Sequence, residues 1–88
     1  MPLVKLYANL RQITGRKELE LPGATAGALI DALCQRYPEL RQKILEDGQL
    51  RPHYVVSING HNIALAGGLD TPVGLQDQMA IFPPMAGG

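Results

Sequence analysis

The chain has 88 residues, enough for one hydrophobic core and too few for a second. Hydrophobic residues make up 45% of it, a fraction that excludes an intrinsically disordered segment and indicates a globular domain. Eight Lys and Arg residues balance eight Asp and Glu residues, so the chain lacks the overall basic charge with which a domain holds nucleic acid. We therefore expect no nucleic-acid partner.

The charges are unevenly spread along the chain. All Lys and Arg residues lie at or before Arg51, and Asp70 and Asp77 are the charged side chains that follow it. With the C-terminal carboxylate added, the last third is predicted to be mildly acidic, which would suit a partner with a basic surface. The basic residues before Arg51 are scattered and are interpreted as a solvated surface, with an acidic partner for Arg11 or Arg16 as the alternative.

The single cysteine, Cys34, allows neither an intramolecular disulfide nor a cysteine-based metal cluster, and we expect no metal site. It flanks the apolar stripe of a predicted helix with no obvious activating base, so we expect a structural, at least half-buried thiol rather than a nucleophile. The first residues lack the basic region and the long apolar run of a secretory signal. No segment has the apolar length of a membrane span, and we expect a cytoplasmic protein with no membrane partner.

The first half of the chain predicts a hairpin followed by two helices. Residues 3–9 alternate as a strand with Val4, Leu6 and Ala8 on one face, and a rather long connection leads to a half-buried antiparallel strand at 17–21. Thr25 is placed to cap a helix with an apolar stripe that ends near Tyr37, because the residue before a proline is disfavoured in a helix. Residues 38–48 predict a second short helix that stops at its terminal glycine.

The second half predicts three strands. Residues 54–58 form the first, Asn59-Gly60 is a strong hairpin signal, and residues 61–65 form a short partner strand. The turn-rich stretch 66–78 is predicted to loop over the surface, with room for one helical turn. Residues 79–82 form the last strand, which Pro83 and Pro84 end. His53 and His61 are interpreted as surface or turn residues, since they come with no ligand cluster.

The order β-β-α-(α)-β-β-β predicts an α+β fold of the β-grasp type, the architecture of ubiquitin. A mixed, curled sheet of about five strands would pack on one main helix, with a second short helix beside it. The first and last strands would pair in parallel at the sheet centre, because a long crossover separates them. We expect a β-grasp domain at 1–82 and a flexible C-terminal tail at 83–88 that ends in Gly-Gly.

In this frame the sequences VSINGHNI, GLDTPVGLQDQMAIFPP and the closing AGG resemble the MoaD/ThiS-like ubiquitin-fold sulfur carrier proteins. The length and the second helical stretch bring the chain nearest to the MoaD type, the small subunit of molybdopterin synthase. The resemblance implies that an ATP-using enzyme, related to the ubiquitin activators, adenylates Gly88. Sulfur then replaces one carboxylate oxygen, and the thiocarboxylate is delivered to molybdopterin by a larger, MoaE-type synthase subunit.

The residues of the tail suit this chemistry. Glycine has no Cβ, so Gly88 and Gly87, with Ala86 before them, could thread into a narrow channel. Pro83 and Pro84 would keep the root of the tail stiff and so reduce the entropy lost on binding. Four residues could also form an apolar docking patch for a partner: Phe82, Pro83, Pro84 and Met85. The alternative places Phe82 in the core and makes Met85 a capping contact.

The chain lacks a nucleophile–base pair and a cofactor motif, so no catalysis by the domain alone is expected, and ATP would belong to the partner. Asp70 and Asp77 lie in turn sequence, where Asp bonds its own backbone. Three alternatives remain open. The carrier could deliver sulfur for cysteine or thiosugar synthesis, or it could be a ubiquitin-like modifier joined to lysines. It could also be an interaction domain whose Gly-Gly ending is accidental.

Overall fold

The computed structural model of the chain describes residues 1–84, and the expectations for Met85, Ala86, Gly87 and Gly88 lie outside the described residues. The elements in chain order are β1 (Leu3–Leu6), α1 (Asn9–Thr14), β2 (Glu18–Glu20), α2 (Ala26–Arg36), α3 (Leu40–Ile44), β3 (Leu45–Glu46), β4 (Gln49–Leu50), β5 (Val55–Ile58), β6 (His61–Asn62) and β7 (Gln78–Phe82). Two short 3₁₀ helices, Ile63–Leu65 and Gly68–Asp70, lie between β6 and β7.

The main sheet has five strands in the order β2-β1-β7-β5-β6. Strand β7 lies at its centre, parallel to β1 and antiparallel to β5. The parallel register runs from Leu3 opposite Gln78 to Leu6 opposite Ile81. The prediction of a mixed sheet with its first and last strands paired at the centre is confirmed, and the fold is a β-grasp.

Helix α2 covers one face of this sheet. Its N-cap is Thr25, as predicted, and the Oγ1 atom of Thr25 accepts a hydrogen bond from the backbone of Ala28 at 3.1 Å. The core between α2 and the sheet is built from buried side chains of both, including Val4, Leu6, Leu29, Ile30, Leu33, Val56, Met79 and Ile81. Cys34 is 1% exposed, and burial raises the pKa of its thiol, so the expected burial of this cysteine is confirmed.

The first strand is shorter than predicted, and Ala8 does not belong to its buried face. The strand ends at Leu6, and Ala8 is exposed with φ 52° and ψ −131°. A turn closed by a hydrogen bond from Leu10 N to Tyr7 O, at 3.1 Å, redirects the chain into α1. The prediction missed this helix, which is stabilised by the complete burial of Leu10 rather than by a long apolar stripe.

The second short helix also ends earlier than predicted, at Ile44. Strands β3 and β4 follow it as a small hairpin with Asp47 and Gly48 as its turn, at φ 53° and φ 77°. The pair Asp-Gly favours a hairpin turn in which both residues have positive φ. Gly48 is therefore a turn residue and does not mark the end of a helix.

The strand predicted at residues 61–65 pairs only through His61 and Asn62. The side chain of Asn62 accepts a hydrogen bond from Ala64 N at 2.9 Å, which starts a 3₁₀ turn and directs Ile63 into the core. The hairpin turn at Asn59-Gly60 is confirmed, with φ 50° and 84°. The single helical turn expected in the following loop is present as the 3₁₀ helix Gly68–Asp70.

Gly27 allows α2 to pack closely against the loop that contains Leu69. A Cβ atom on Gly27 would lie 3.0 Å from the carbonyl oxygen of Leu69 and 3.2 Å from its Cβ. We expect Gly27→Ala to lower the free energy of unfolding by about 1–2 kcal/mol, because the clash outweighs the gain in helix propensity. Urea denaturation measures this, and Ala28→Gly at the exposed neighbouring position gives the propensity effect alone. A Gly27→Ala variant as stable as the wild type would contradict the close packing.

Asp77 joins the turn before β7 to the hairpin turn after β5. Its carboxylate accepts hydrogen bonds from Gly74 N at 2.7 Å and from the Asn59 side-chain amide at 2.9 Å, and Asn59 in turn accepts one from Gln78 N. The bond from Gly74, followed by that from Asn59, holds the pKa of Asp77 below its ordinary value. The expected backbone bonding of this Asp is confirmed.

A folded-state pKa below the unfolded one means that ionised Asp77 stabilises the fold at neutral pH. This contribution is lost as the pH falls through the folded-state pKa. We expect Asp77→Asn to lower the Tm at about pH 7, and the difference in Tm from the wild type to narrow as the pH falls below about 4. Thermal melts across this range test it, with the exposed Asp70→Asn as the control. A gap that stays constant down to the lowest pH would contradict a role for the ionised carboxylate.

Candidate functional site

The candidate site is the edge of the sheet at which β7 ends. Phe82, the last residue of β7, pairs with Val55 at the start of β5, and Ile81 lies beside Leu6 at the end of β1. Hydrogen bonding on both sides therefore holds the final residues of β7 in place. Pro83 and Pro84 follow directly, so the root of the predicted tail starts from a rigid strand at the sheet centre.

Phe82 lies outside the hydrophobic core. The side chains of β7 alternate, and Met79 and Ile81 are fully buried beneath α2. Phe82 therefore points to the other face of the sheet, where it is 38% exposed. Of the two interpretations for this residue, the structure places it where a partner could reach it. The docking role itself remains a prediction.

Phe82 belongs to a stack of three side chains. Its ring lies on the ring of Tyr7 with centroids 4.5 Å apart and planes inclined by 16°. The guanidinium carbon of Arg11 lies 4.7 Å from the centroid of Tyr7, and Arg11 Nε donates a hydrogen bond to the carbonyl oxygen of Leu6. A cation over an aromatic ring is electrostatically favourable, so Arg11 helps to hold the stack in place.

A cleft of about 600 Å³ opens beside this stack, and we call it the tail-root cleft. Its lining residues are Tyr7, Ala8, His53, Val55, Phe82, Pro83 and Pro84. The last three of these belong to the predicted docking patch, and the other four were not predicted to line a site. A signal for Tyr7 existed, because it alternates with the core residues Val4 and Leu6 and so faces outward. No sequence pattern indicated His53, which meets the cleft through a left-handed backbone at φ 69°.

Elsewhere in residues 1–84 the titratable side chains are dispersed. Within residues 1–84, no group of three or more His, Cys, Asp or Glu side chains is placed to bind a metal ion. His61 is exposed in β6, on the far side of β5 from the tail strand. In the same part of the chain, no helix is long and apolar enough to cross a membrane. The arrangement is suited to presenting a chain end beside an apolar surface.

A β-grasp sheet whose central strand leads into a Pro-Pro-x-x-Gly-Gly ending defines the class of ubiquitin-fold sulfur carriers and modifiers. The chain matches the ThiS family over residues 4–88 and belongs to this family. It is 31% identical to small archaeal modifier protein 3 of Haloferax volcanii, over 97% of this chain and 96% of the relative. It is 37% identical to a putative sulfur carrier protein of Archaeoglobus fulgidus, over 97% and 96%.

Structural comparison gives the same class. The structure of CysO in the BexX/CysO complex of Amycolatopsis orientalis superposes with a TM-score of 0.90 and 29% identity, and the match covers 100% of both chains. The resemblance inferred from the closing sequence motifs is thereby confirmed at the level of the family. The relatives include proteins named as carriers and proteins named as modifiers.

The stack makes a measurable prediction about coupling between Tyr7 and Phe82. Stacked aromatic rings contribute beyond their buried area, so we expect a coupling of about 0.5–1 kcal/mol in the free energy of unfolding. A double-mutant cycle with Tyr7→Ala and Phe82→Ala measures it. The control cycle pairs Tyr7→Ala with Leu75→Ala, an exposed residue in the turn before β7, and should be additive. Additivity in the first cycle would contradict the stack.

Proposed function

We propose that the chain is a sulfur carrier whose C-terminal Gly88 is adenylated by an ATP-using partner enzyme and converted to a thiocarboxylate. The observation that carries the proposal is the family match, which runs through residue 88 and includes the Gly-Gly ending. The geometry of the fold supports the same function, because β7 ends beside the open, apolar tail-root cleft. The chain then acts as a co-substrate or as the sulfur-donating subunit of a synthase.

The proposed chemistry needs an activated acyl group, because a carboxylate is a poor electrophile. The carboxylate of Gly88 attacks the α-phosphate of ATP, pyrophosphate leaves, and an acyl adenylate forms. Hydrosulfide supplied by the partner system then attacks the acyl carbon of Gly88, the bond to AMP breaks and AMP leaves, and loss of the proton on sulfur gives the thiocarboxylate. Glycine at positions 87 and 88 suits this reaction, since a backbone without Cβ can enter a narrow nucleotide site.

The tail-root cleft is the proposed docking surface for the partner. Tyr7, Val55 and Phe82 present apolar area there, with Val55 and Phe82 exposed by 40% and 38%. Four residues follow Pro84, and four extended residues reach at most about 14 Å. A partner that binds Gly88 in its active site must therefore lie against the cleft, and contact with Phe82, Pro83 and Met85 is part of the proposal.

The acceptor of the sulfur distinguishes the candidate functions. The MoaD-type resemblance favours molybdopterin synthesis with a MoaE-type synthase subunit, and cysteine or thiosugar synthesis are the other sulfur-accepting pathways. The similarity to small archaeal modifier protein 3 favours a second function, attachment of Gly88 to protein lysines. Both fates begin with the same adenylate, so they separate only after activation.

The activation step is tested by intact mass measurement of the chain after incubation with ATP, a sulfur source and the adenylating enzyme of the same organism. We expect a mass gain equal to replacement of one oxygen by sulfur, located on Gly88. A variant that ends at Ala86 should gain none. With Phe82→Ala as its substrate, the adenylating enzyme should show a kcat/KM about tenfold lower than with the wild-type chain, as for loss of a central interface contact. Leu75→Ala is the control and should leave kcat/KM unchanged. Equal thiocarboxylate formation by the Ala86-terminated variant would overturn the proposal.

The acceptor is tested with the isolated thiocarboxylate form. Transfer of sulfur to a molybdopterin precursor in the presence of a MoaE-type subunit would support the first candidate. Slower-migrating protein adducts in an extract of the same organism, lost when Gly88 is removed, would support the modifier function. Sulfide transfer to an activated amino acid, with neither of these, would assign the carrier to amino-acid synthesis.

A further inference from the structure

The fold gathers basic side chains around the root of the tail. Strand β1 is parallel to β7, so the connection from β1 to β2, residues 7–17, begins at the edge where the tail leaves the sheet. Leu6 N donates a hydrogen bond to Lys17 O at 2.9 Å, which brings the far end of the connection back to the same edge. This segment contains Arg11, Arg16 and Lys17 and no acidic residue.

These cations are not neutralised within the part of the chain that the structure describes. The ion pairs among residues 1–84 are Arg41 with Asp31 and Arg51 with Glu46, and they involve none of the three. The carboxylate next in sequence, Glu18, lies opposite Lys5 in the β1–β2 ladder. Arg11, Arg16 and Lys17 therefore form an uncompensated basic edge, which we call the cationic rim.

Arg11 is held in one orientation within this rim. Its Nε atom donates to Leu6 O, and its guanidinium lies over Tyr7, which stacks on Phe82. The terminal amino groups of the guanidinium, the Nη atoms, are left to bind another group. A guanidinium oriented in advance loses little entropy when it binds a carboxylate through two parallel hydrogen bonds. Arg16 and Lys17 are exposed, so their positive charges act mainly by long-range attraction.

We propose that the cationic rim docks onto acidic side chains that border the nucleotide site of the enzyme that activates Gly88. This inference rests on the proposed function and adds the chemistry by which the partner is recognised. A protein is favoured over nucleic acid because the rim adjoins the apolar tail-root cleft, and a mixed apolar and charged surface is typical of protein interfaces.

The positive charge of the cationic rim differs from the negative charge that the last third of the sequence predicts near the tail. The mildly acidic last third suggested a partner with a basic surface, but Asp77 precedes β7 and so lies at the opposite end of the strand from the tail. The charges that surround the tail root come from the connection between β1 and β2. The proposal therefore places an acidic partner surface beside the tail root, and the basic partner surface expected from the acidic last third stays a prediction.

The test measures association of the full chain with the purified adenylating enzyme of the same organism. We expect the double variant Arg16→Glu with Lys17→Glu to lower the association rate constant about tenfold at roughly 0.05 M salt, and the loss to shrink at roughly 0.5 M. The control is Arg36→Glu with Lys43→Glu, which makes the same charge change on α2 and α3 and should stay within about twofold. Arg11→Lys keeps the charge and loses the two parallel hydrogen bonds that a guanidinium can donate to a carboxylate. It should therefore mainly raise the dissociation rate constant, by several-fold.

The outcomes separate the two proposals. If the rim variants associate like the control while the wild type still gains sulfur, the rim proposal is overturned and the carrier function stands. If the wild type binds in a rim-dependent way but gains no sulfur, the carrier function fails and the rim stands as a docking surface. Failure of the wild type to bind the enzyme overturns both. Binding of a fluorescent DNA duplex, lost in the same double variant, would overturn the assignment to a protein partner.

Discussion

The parallel pairing of β1 with β7 is the constraint on which the site depends. It joins the first strand of the chain to the last, with four residue pairs from Leu3–Gln78 to Leu6–Ile81. Two parallel strands cannot be joined by a tight turn, so the chain between them must cross over to the starting end of the sheet, and α2 is the main helix of this crossover. The burial of Val4, Leu6, Met79 and Ile81 under α2 stabilises this arrangement, and it places the end of β7 at the edge of the molecule.

The side chains of β7 point to two faces of the sheet, one packed in the core and one directed outward. Met79 and Ile81 anchor the strand in the core, whereas Phe82 faces outward and stacks on Tyr7. Pro83 and Pro84 follow the anchored strand directly, so the root of the tail starts from a fixed point. On the proposed function, a fixed root lowers the conformational entropy lost when the tail binds a partner, because fewer backbone angles remain to be ordered.

Much of the fold was predictable because its signals are local. The cap at Thr25, the turn at Asn59-Gly60 and the last strand before Pro83 each depend on residues within one turn or strand, and all three are confirmed. The errors arose where a local pattern was ambiguous. The sequence pattern does not indicate helix α1 because burial of Leu10 stabilises it, and Gly48, predicted to end a helix, lies in a hairpin turn.

The sequence alone determined the order of helix α2 and the five strands of the main sheet, the proline-marked end of the last strand and the Gly-Gly ending, because each is written in consecutive residues. Only the tertiary structure decided what surrounds the root of the tail. Tyr7, Arg11, His53 and Val55 reach that edge through the pairing of β1 and β5 with β7, which joins segments far apart in the chain. A pattern confined to neighbouring residues carries no information about such contacts, so the cleft and its basic rim emerged from the fold.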